Sequence, residues 1–146
     1  MTSTVTAYTD GCCLGNPGAG GWGALICKSD GSETEIFGGT AQTTNNRMEL
    51  QAVIEVLKGL PESATVQIYT DSKYVQQGLT TWLAGWKRNG WRTSSKGVVK
   101  NQDLWQELDQ LCSFHKVTLT WVRGHNGHPE NERADALANK GATPYA

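Results

Sequence analysis

Four acidic side chains, Asp10, Glu49, Asp71 and Asp135, each lie in a short distinctive string. The strings are Tyr8-Thr9-Asp10-Gly11, Asn45-Asn46-Arg47-Met48-Glu49, Tyr69-Thr70-Asp71-Ser72 and Glu132-Arg133-Ala134-Asp135. Three of them fall where a strand is predicted to end or a helix to begin, so carboxylates far apart in the chain are set at the ends of elements. Hard divalent cations take oxygen ligands, and a site for two of them uses several carboxylates to hold the ions about 3.5–4 Å apart on a phosphate. Without cations, carboxylates gathered this closely repel one another and drive one or more pKa values up. The residue types point to metal-assisted phosphodiester chemistry.

Periodicity identifies the elements that must position these groups. Residues 5–9 alternate and are β-prone, a strand predicted to end near Asp10. Asn16-Pro17-Gly18-Ala19-Gly20-Gly21 is turn chemistry. Residues 22–27 and 33–40 read as two further strands around Ser29-Asp30-Gly31-Ser32, which makes an antiparallel meander. From Asn46 the period lengthens: Met48, Ala52, Val53, Val56, Leu57 and Leu60 recur at helical spacing, with capping side chains at 43–46 and Pro61 as a stop. Residues 66–70 form a fourth strand, and Ser72 begins a second helix with Val75 and Leu79 inward. Residues 82–91 read as a short helix broken by Asn89-Gly90, residues 101–112 as a helix, and residues 117–122 as a fifth strand. Pro129 opens a last helix through Lys140, with Glu130 and Glu132 in its first turn. Strands separated by helices pair in parallel. The expectation is therefore an α/β fold in one domain, 1–146: a five-stranded mixed sheet, antiparallel meander then parallel strands, with helices on both faces. Sites in such sheets gather at strand ends.

At 146 residues the chain can bury a real core, and its composition is that of a globular protein. No apolar run is long enough to span a membrane and no secretory signal is visible, so a cytoplasmic protein is expected. The four cysteines, Cys12, Cys13, Cys27 and Cys112, contain no CxxC pair and read as buried small hydrophobes or neutral surface thiols. A net charge of −1 conceals segregation. Lys73, Lys87, Arg88, Arg92, Lys96 and Lys100 lie between Ser72 and Gln102 with no acid among them. The rest of the chain holds seven basic residues against all fourteen acidic ones, a net −7. Such a cationic patch suits a polyanion. Trp82, Trp86 and Trp91 interleave with it. A tryptophan pair four residues apart commonly belongs to a core, but the basic run beside it favours phosphate contact. His125, in the glycine-flanked Val122-Arg123-Gly124-His125-Asn126-Gly127, suits proton transfer near neutral pH. His128 reads as a helix cap and His115 as a surface residue.

Taken in order over nearly the whole chain, these strings resemble the bacterial type 1 ribonucleases H. They include Asn45-Asn46-Arg47-Met48-Glu49-Leu50, Thr70-Asp71-Ser72-Lys73-Tyr74-Val75 and residues 124–135, Gly-His-Asn-Gly-His-Pro-Glu-Asn-Glu-Arg-Ala-Asp. The resemblance implies the ribonuclease H-like fold and a monomeric endonuclease that hydrolyses the RNA strand of RNA–DNA hybrids. It implies two Mg²⁺ ions with substrate bound, Mn²⁺ as a substitute, and 5′-phosphate and 3′-hydroxyl products. Asp10, Glu49, Asp71 and Asp135 would be the catalytic metal ligands, Asp10 bridging, with His125 as a mobile catalytic auxiliary. Cys13, Asn16 and Asn45 match positions that read the minor groove, where the 2′-hydroxyl separates RNA from DNA. Thr44 and Asn101 match positions at a DNA phosphate. Residues of about 82–100 would form a basic protrusion that grips the DNA strand through Trp82, Trp86, Lys87 and Arg88. Turn and cap roles for Asn16 and for residues 44–46 are compatible with these contacts. Two positions depart from the pattern: Lys73 stands where glutamine is expected, and Cys12 where serine is common. Transposases, integrases and junction resolvases share the fold, and the basic segment with the 124–128 loop favours hybrid cleavage over them.

Overall fold

Val5, Ala7 and Thr9 alternate with Thr4, Thr6 and Tyr8 along the central strand β1 (Ser3–Cys13). The computed structural model describes residues 3–15, 17–60, 62–92, 99–123 and 129–146. Strands β2 (Gly18–Lys28), β3 (Glu33–Thr43), β4 (Ala64–Thr70) and β5 (Lys116–Trp121) complete a five-stranded sheet of order β3-β2-β1-β4-β5. The β1–β2 and β2–β3 pairs are antiparallel, and β1–β4 and β4–β5 are parallel, as the sequence predicts. Several boundaries differ, and two of them bear on the site. β1 does not end near Asp10 but runs on to Cys13, because it stays paired with β2 as far as Cys13↔Gly20. The glycine-rich stretch at 18–21, expected as a turn, is the start of β2 for the same reason.

Helix α1 (Asn45–Lys58) covers one face of the sheet. Its Leu50, Val53, Ile54 and Leu57 are fully buried in one cluster with Ala7, Ala24, Val66 and Ile68 from the strands. Helix α4 (Gln102–Phe114) adds Leu104, Trp105 and Leu108 to that cluster. Helix α5 (Pro129–Ala142) lies on the opposite face, against β1, β2 and β3. It approaches so closely that a Cβ at Gly21 or Gly23 would strike the backbone of Ala138.

Between β4 and α4 the sequence suggests two separate helices. Instead α2 (Lys73–Gln77), a π turn (Gly78–Trp82) and α3 (Leu83–Arg88) follow without interruption. The π turn begins at Gly78, where a Cβ would collide with the Trp105 ring, so the widened turn and the absent side chain together admit that ring. His115 is corrected from a surface residue to a buried one, 3% exposed. Its Nδ1 accepts from the Ala64 amide at 3.1 Å and its Nε2 donates to the Leu57 carbonyl at 3.0 Å. The neutral Nε2–H tautomer thus ties the start of β4 to the end of α1. Among the described residues no helix is long and apolar enough to cross a membrane.

Candidate active site

Parallel pairing of β1 with β4 ends at Thr9↔Thr70, just past Tyr8↔Tyr69, whose rings stack at 5.2 Å. Each threonine is followed by an aspartate, so Asp10 and Asp71 come side by side where the two strands part. β1 continues along β2, whereas the chain after β4 turns at Ser72, whose hydroxyl accepts from the Val75 amide and caps α2. The next residue of β1, Gly11, permits the close approach of α1, since a Cβ there would collide with the backbone of Met48 and Glu49. As a result the single Gly11 amide lies 2.9 Å from Asp10 Oδ1 and 3.0 Å from Glu49 Oε1, bridging two carboxylates. Thr44 fixes the start of α1 by accepting from the Arg47 amide at 3.3 Å. Asp10, Glu49 and Asp71 each offer a carboxylate oxygen, and these lie within 4.8 Å of one another. Asp135, in the second turn of α5, joins them in lining an open groove of about 360 Å³ with Asn45, Lys73 and Tyr74.

The electrostatics follow from that crowding. Asp10 and Glu49 are only 7% and 8% exposed. Burial, reinforced by the charge of Asp71 and contact with Asp135, pushes the Asp10 carboxyl up to about 8. Burial and the charge of Asp10 hold Glu49 well above the usual carboxylate range. Glu49 Oε2 is buried with no hydrogen-bond partner among the described residues. A buried anionic oxygen without a donor is costly, and a cation or a proton removes that cost. Every donor in the cluster is a carboxylate oxygen, the set that hard divalent ions prefer over softer metals. Divalent cations fit these residues.

The remaining predicted positions divide into three groups. Cys13, at the end of β1, points its thiol among backbone carbonyls, 3.4 Å from Thr43 O and 3.5 Å from Gly18 O. Asn45 is the exposed first residue of α1, on the groove itself. Asn101 precedes α4 in a left-handed conformation, φ 60°. Its Oδ1 accepts from Arg47 at 3.2 Å and its Nδ2 donates to the Tyr74 hydroxyl at 3.0 Å. That hydroxyl also accepts from Trp105 Nε1 at 3.0 Å, and Arg47 pairs with Asp103 at 2.7 Å. Arg47 and Tyr74, to which the sequence reading gives no role, therefore link the starts of α1, α2 and α4. Both stand inside the strings already singled out, but their long side-chain reach has no signature in the sequence.

Of the basic residues in the cationic segment, Lys73 is the only described one that lines the groove. Trp82 and Trp86 pack together at 5.9 Å, Trp82 against Tyr74 and Trp86 against Trp105. Lys87 is engaged by Asp109 of α4 at 3.1 Å, while Arg88 is exposed. Asn16, His125 and His128 lie outside the described residues, as does Lys96.

The RNase H family model matches residues 2–143. A ribonuclease HI of Neisseria meningitidis serogroup B is 62% identical over 146 residues, the full length of both chains. A ribonuclease H of Cupriavidus pinatubonensis is 61% identical over 142 residues, 97% of each chain. The crystal structure of LC9-RNase H1, a type 1 RNase H with the type 2 active-site motif, matches with a TM-score of 0.89 at 36% identity. That match covers 100% of this chain and 75% of the other.

Proposed function

The chain belongs to the RNase H family, and from that premise we propose that it is a metal-dependent endonuclease that hydrolyses the RNA strand of RNA–DNA hybrids. The observation that carries the reading is the meeting of Asp10, Glu49 and Asp71 within 4.8 Å, at a groove that Asp135 also lines. Asp10, which shares the Gly11 amide with Glu49 and feels both Asp71 and Asp135, would be the central carboxylate of the metal-holding set. Held by these four carboxylates, two Mg²⁺ ions, or Mn²⁺ in their place, would supply a more acidic attacking water and charge stabilisation at the leaving 3′-oxygen, giving 5′-phosphate and 3′-hydroxyl ends. The protein's own contribution is preorganisation: the sheet fork, the Gly11 contact and the docked α5 hold the carboxylates in place before substrate arrives.

For the substrate, Cys13, Asn16 and Asn45 are assigned to the minor groove, and Thr44 and Asn101 to a DNA phosphate. Arg47 and Tyr74 supply support by fixing the Asn101 amide. Arg88 and the exposed edge of Trp82 are the protrusion's foremost contacts, with Trp86 and Lys87 beneath them. His125 is assigned proton transfer or product release. The enzyme acts as a monomeric single domain in the cytoplasm. The test is cleavage of a strand-labelled hybrid beside RNA duplex, DNA duplex and single-strand controls. Cutting of the RNA strand alone, only with Mg²⁺, is expected; cutting of DNA, or tight hybrid binding without cutting, would defeat the assignment.

A further inference from the structure

Among the described residues that line the acidic groove, Lys73 is the only basic one. It is the exposed first residue of α2, two positions after Asp71. An ammonium so placed would ordinarily collapse onto a carboxylate, yet no ion pair joins it to one among the described residues. Its Nζ lies instead 4.9 Å from the centroid of the Trp121 ring. That ring is itself anchored, because Trp121 Nε1 donates to the main-chain oxygen of Asp71 at 3.0 Å. One indole thus holds both the backbone that carries a groove carboxylate and the cation that follows it. A cation in the first turn of a helix also opposes the helix dipole, so the local backbone gives this charge no support.

We propose that Lys73 binds a backbone phosphate of the hybrid at the edge of the metal site, and that Trp121 is the positioning residue that keeps its ammonium out of the carboxylate cluster. The proposal rests on the hybrid-cleavage reading and adds a substrate contact to it. A groove lined otherwise by four carboxylates repels a polyanion, and Lys73 offers three donors and a positive charge on that same surface. The charge acts in two directions. It attracts the phosphate, and it repels divalent cations entering the cluster a short distance away. A residue with a merely structural role would not separate these signs.

The experiment compares Lys73→Met, Lys73→Arg and Trp121→Leu with wild type. Steady-state kinetics are measured on the hybrid. Hybrid affinity against salt is read by anisotropy in an Asp10→Asn background, and Mn²⁺ binding without nucleic acid by calorimetry. Lys73→Met is expected to raise KM about fivefold with kcat little changed. It should lower the salt slope by about one and tighten Mn²⁺ about twofold. Lys73→Arg should keep the hybrid affinity, and Trp121→Leu should raise KM more in the Lys73 protein than in Lys73→Met, where only the loss of the Asp71 main-chain anchor is felt. An unchanged KM and salt slope in Lys73→Met, with wild type cutting the hybrid normally, would overturn the proposal and leave the activity standing. Loss of both hybrid and Mn²⁺ affinity would make the residue structural and overturn it too. If wild type binds the hybrid without cutting it, the underlying activity fails, and the salt slope still decides whether Lys73 holds a phosphate.

Discussion

Glu49 Oε2 and the Asp10 carboxyl state the problem that this site poses at the scale of single residues. Both are buried, one without a donor among the described residues and the other raised to about 8 by burial and its acidic neighbours. The sign of the consequence is fixed. Asp10 is raised above its unfolded value of 3.8, so the stability it contributes as a neutral acid is fully present below about 3.8 and is lost as pH rises through about 8. In the absence of divalent ions the protein is therefore expected to melt at lower temperature at pH 8 than at pH 5. Asp10→Asn should flatten that dependence and raise the pH 8 melting temperature by about 5 °C, while abolishing turnover. Calorimetric melts in a chelator check this, and a steep pH slope retained by Asp10→Asn would contradict the crowding argument. His125→Ala should slow turnover about 100-fold without changing Mn²⁺ affinity; an unchanged rate across pH would remove its assigned role. The meeting of Asp10 with Asp71 was written in the chain as two copies of Tyr-Thr-Asp, set in register on adjacent parallel strands. Asn45 was singled out only through the family resemblance, and it lines the groove as the first residue of the helix that carries Glu49. The link from Arg47 through Asn101 to Tyr74 could not be read, because it depends on where three helices begin relative to one another.

Elements explain which sequence signals held and which gave way. Periods of two and of about four residues located the strands and the long helices, most plainly β4, whose residues alternate between buried and half-buried, and α1, whose inward stripe is fully buried. Boundaries moved where tertiary contact outweighed local turn chemistry: β1 and β2 extend because they pair with each other beyond the fork. The π turn was invisible because its partner, the Trp105 ring, lies on another helix. His115 sits in a polar stretch that resembles surface, yet it satisfies the Ala64 amide and the Leu57 carbonyl in the interior. His115→Ala should cost about 3 kcal/mol, since both backbone groups lose their partner; a loss below about 1 kcal/mol in urea melts would mean that water replaces the ring. In α3, Lys87 is already paired with Asp109 while Arg88 is exposed. Arg88→Ala is therefore expected to raise KM and flatten its salt dependence more than Lys87→Ala does. Equal effects would show that the Lys87 pair opens on binding.

At the scale of the molecule, charge is divided between an acidic body and one basic segment, which among the described residues reaches the carboxylate groove with a single cation, Lys73. The division suits a duplex whose backbone is held on one side while one of its phosphates is delivered to cations on the other. The overall sheet and its two helical layers were legible because alternation, helical spacing and element order all agree on them. The depth of the carboxylates was not, since it arises from α1 and α5 packing closely against opposite faces at glycines. The central claim is that divalent ions bound by this cluster are what make the chain a nuclease. Its most direct measurement is Mn²⁺ titration by calorimetry of wild type and Asp10→Asn, each paired with hybrid cleavage in the same buffer. Saturable Mn²⁺ binding with cleavage in wild type, and loss of both in a folded Asp10→Asn, is the predicted result. Near-normal cleavage by Asp10→Asn, or undiminished Mn²⁺ binding, would contradict it.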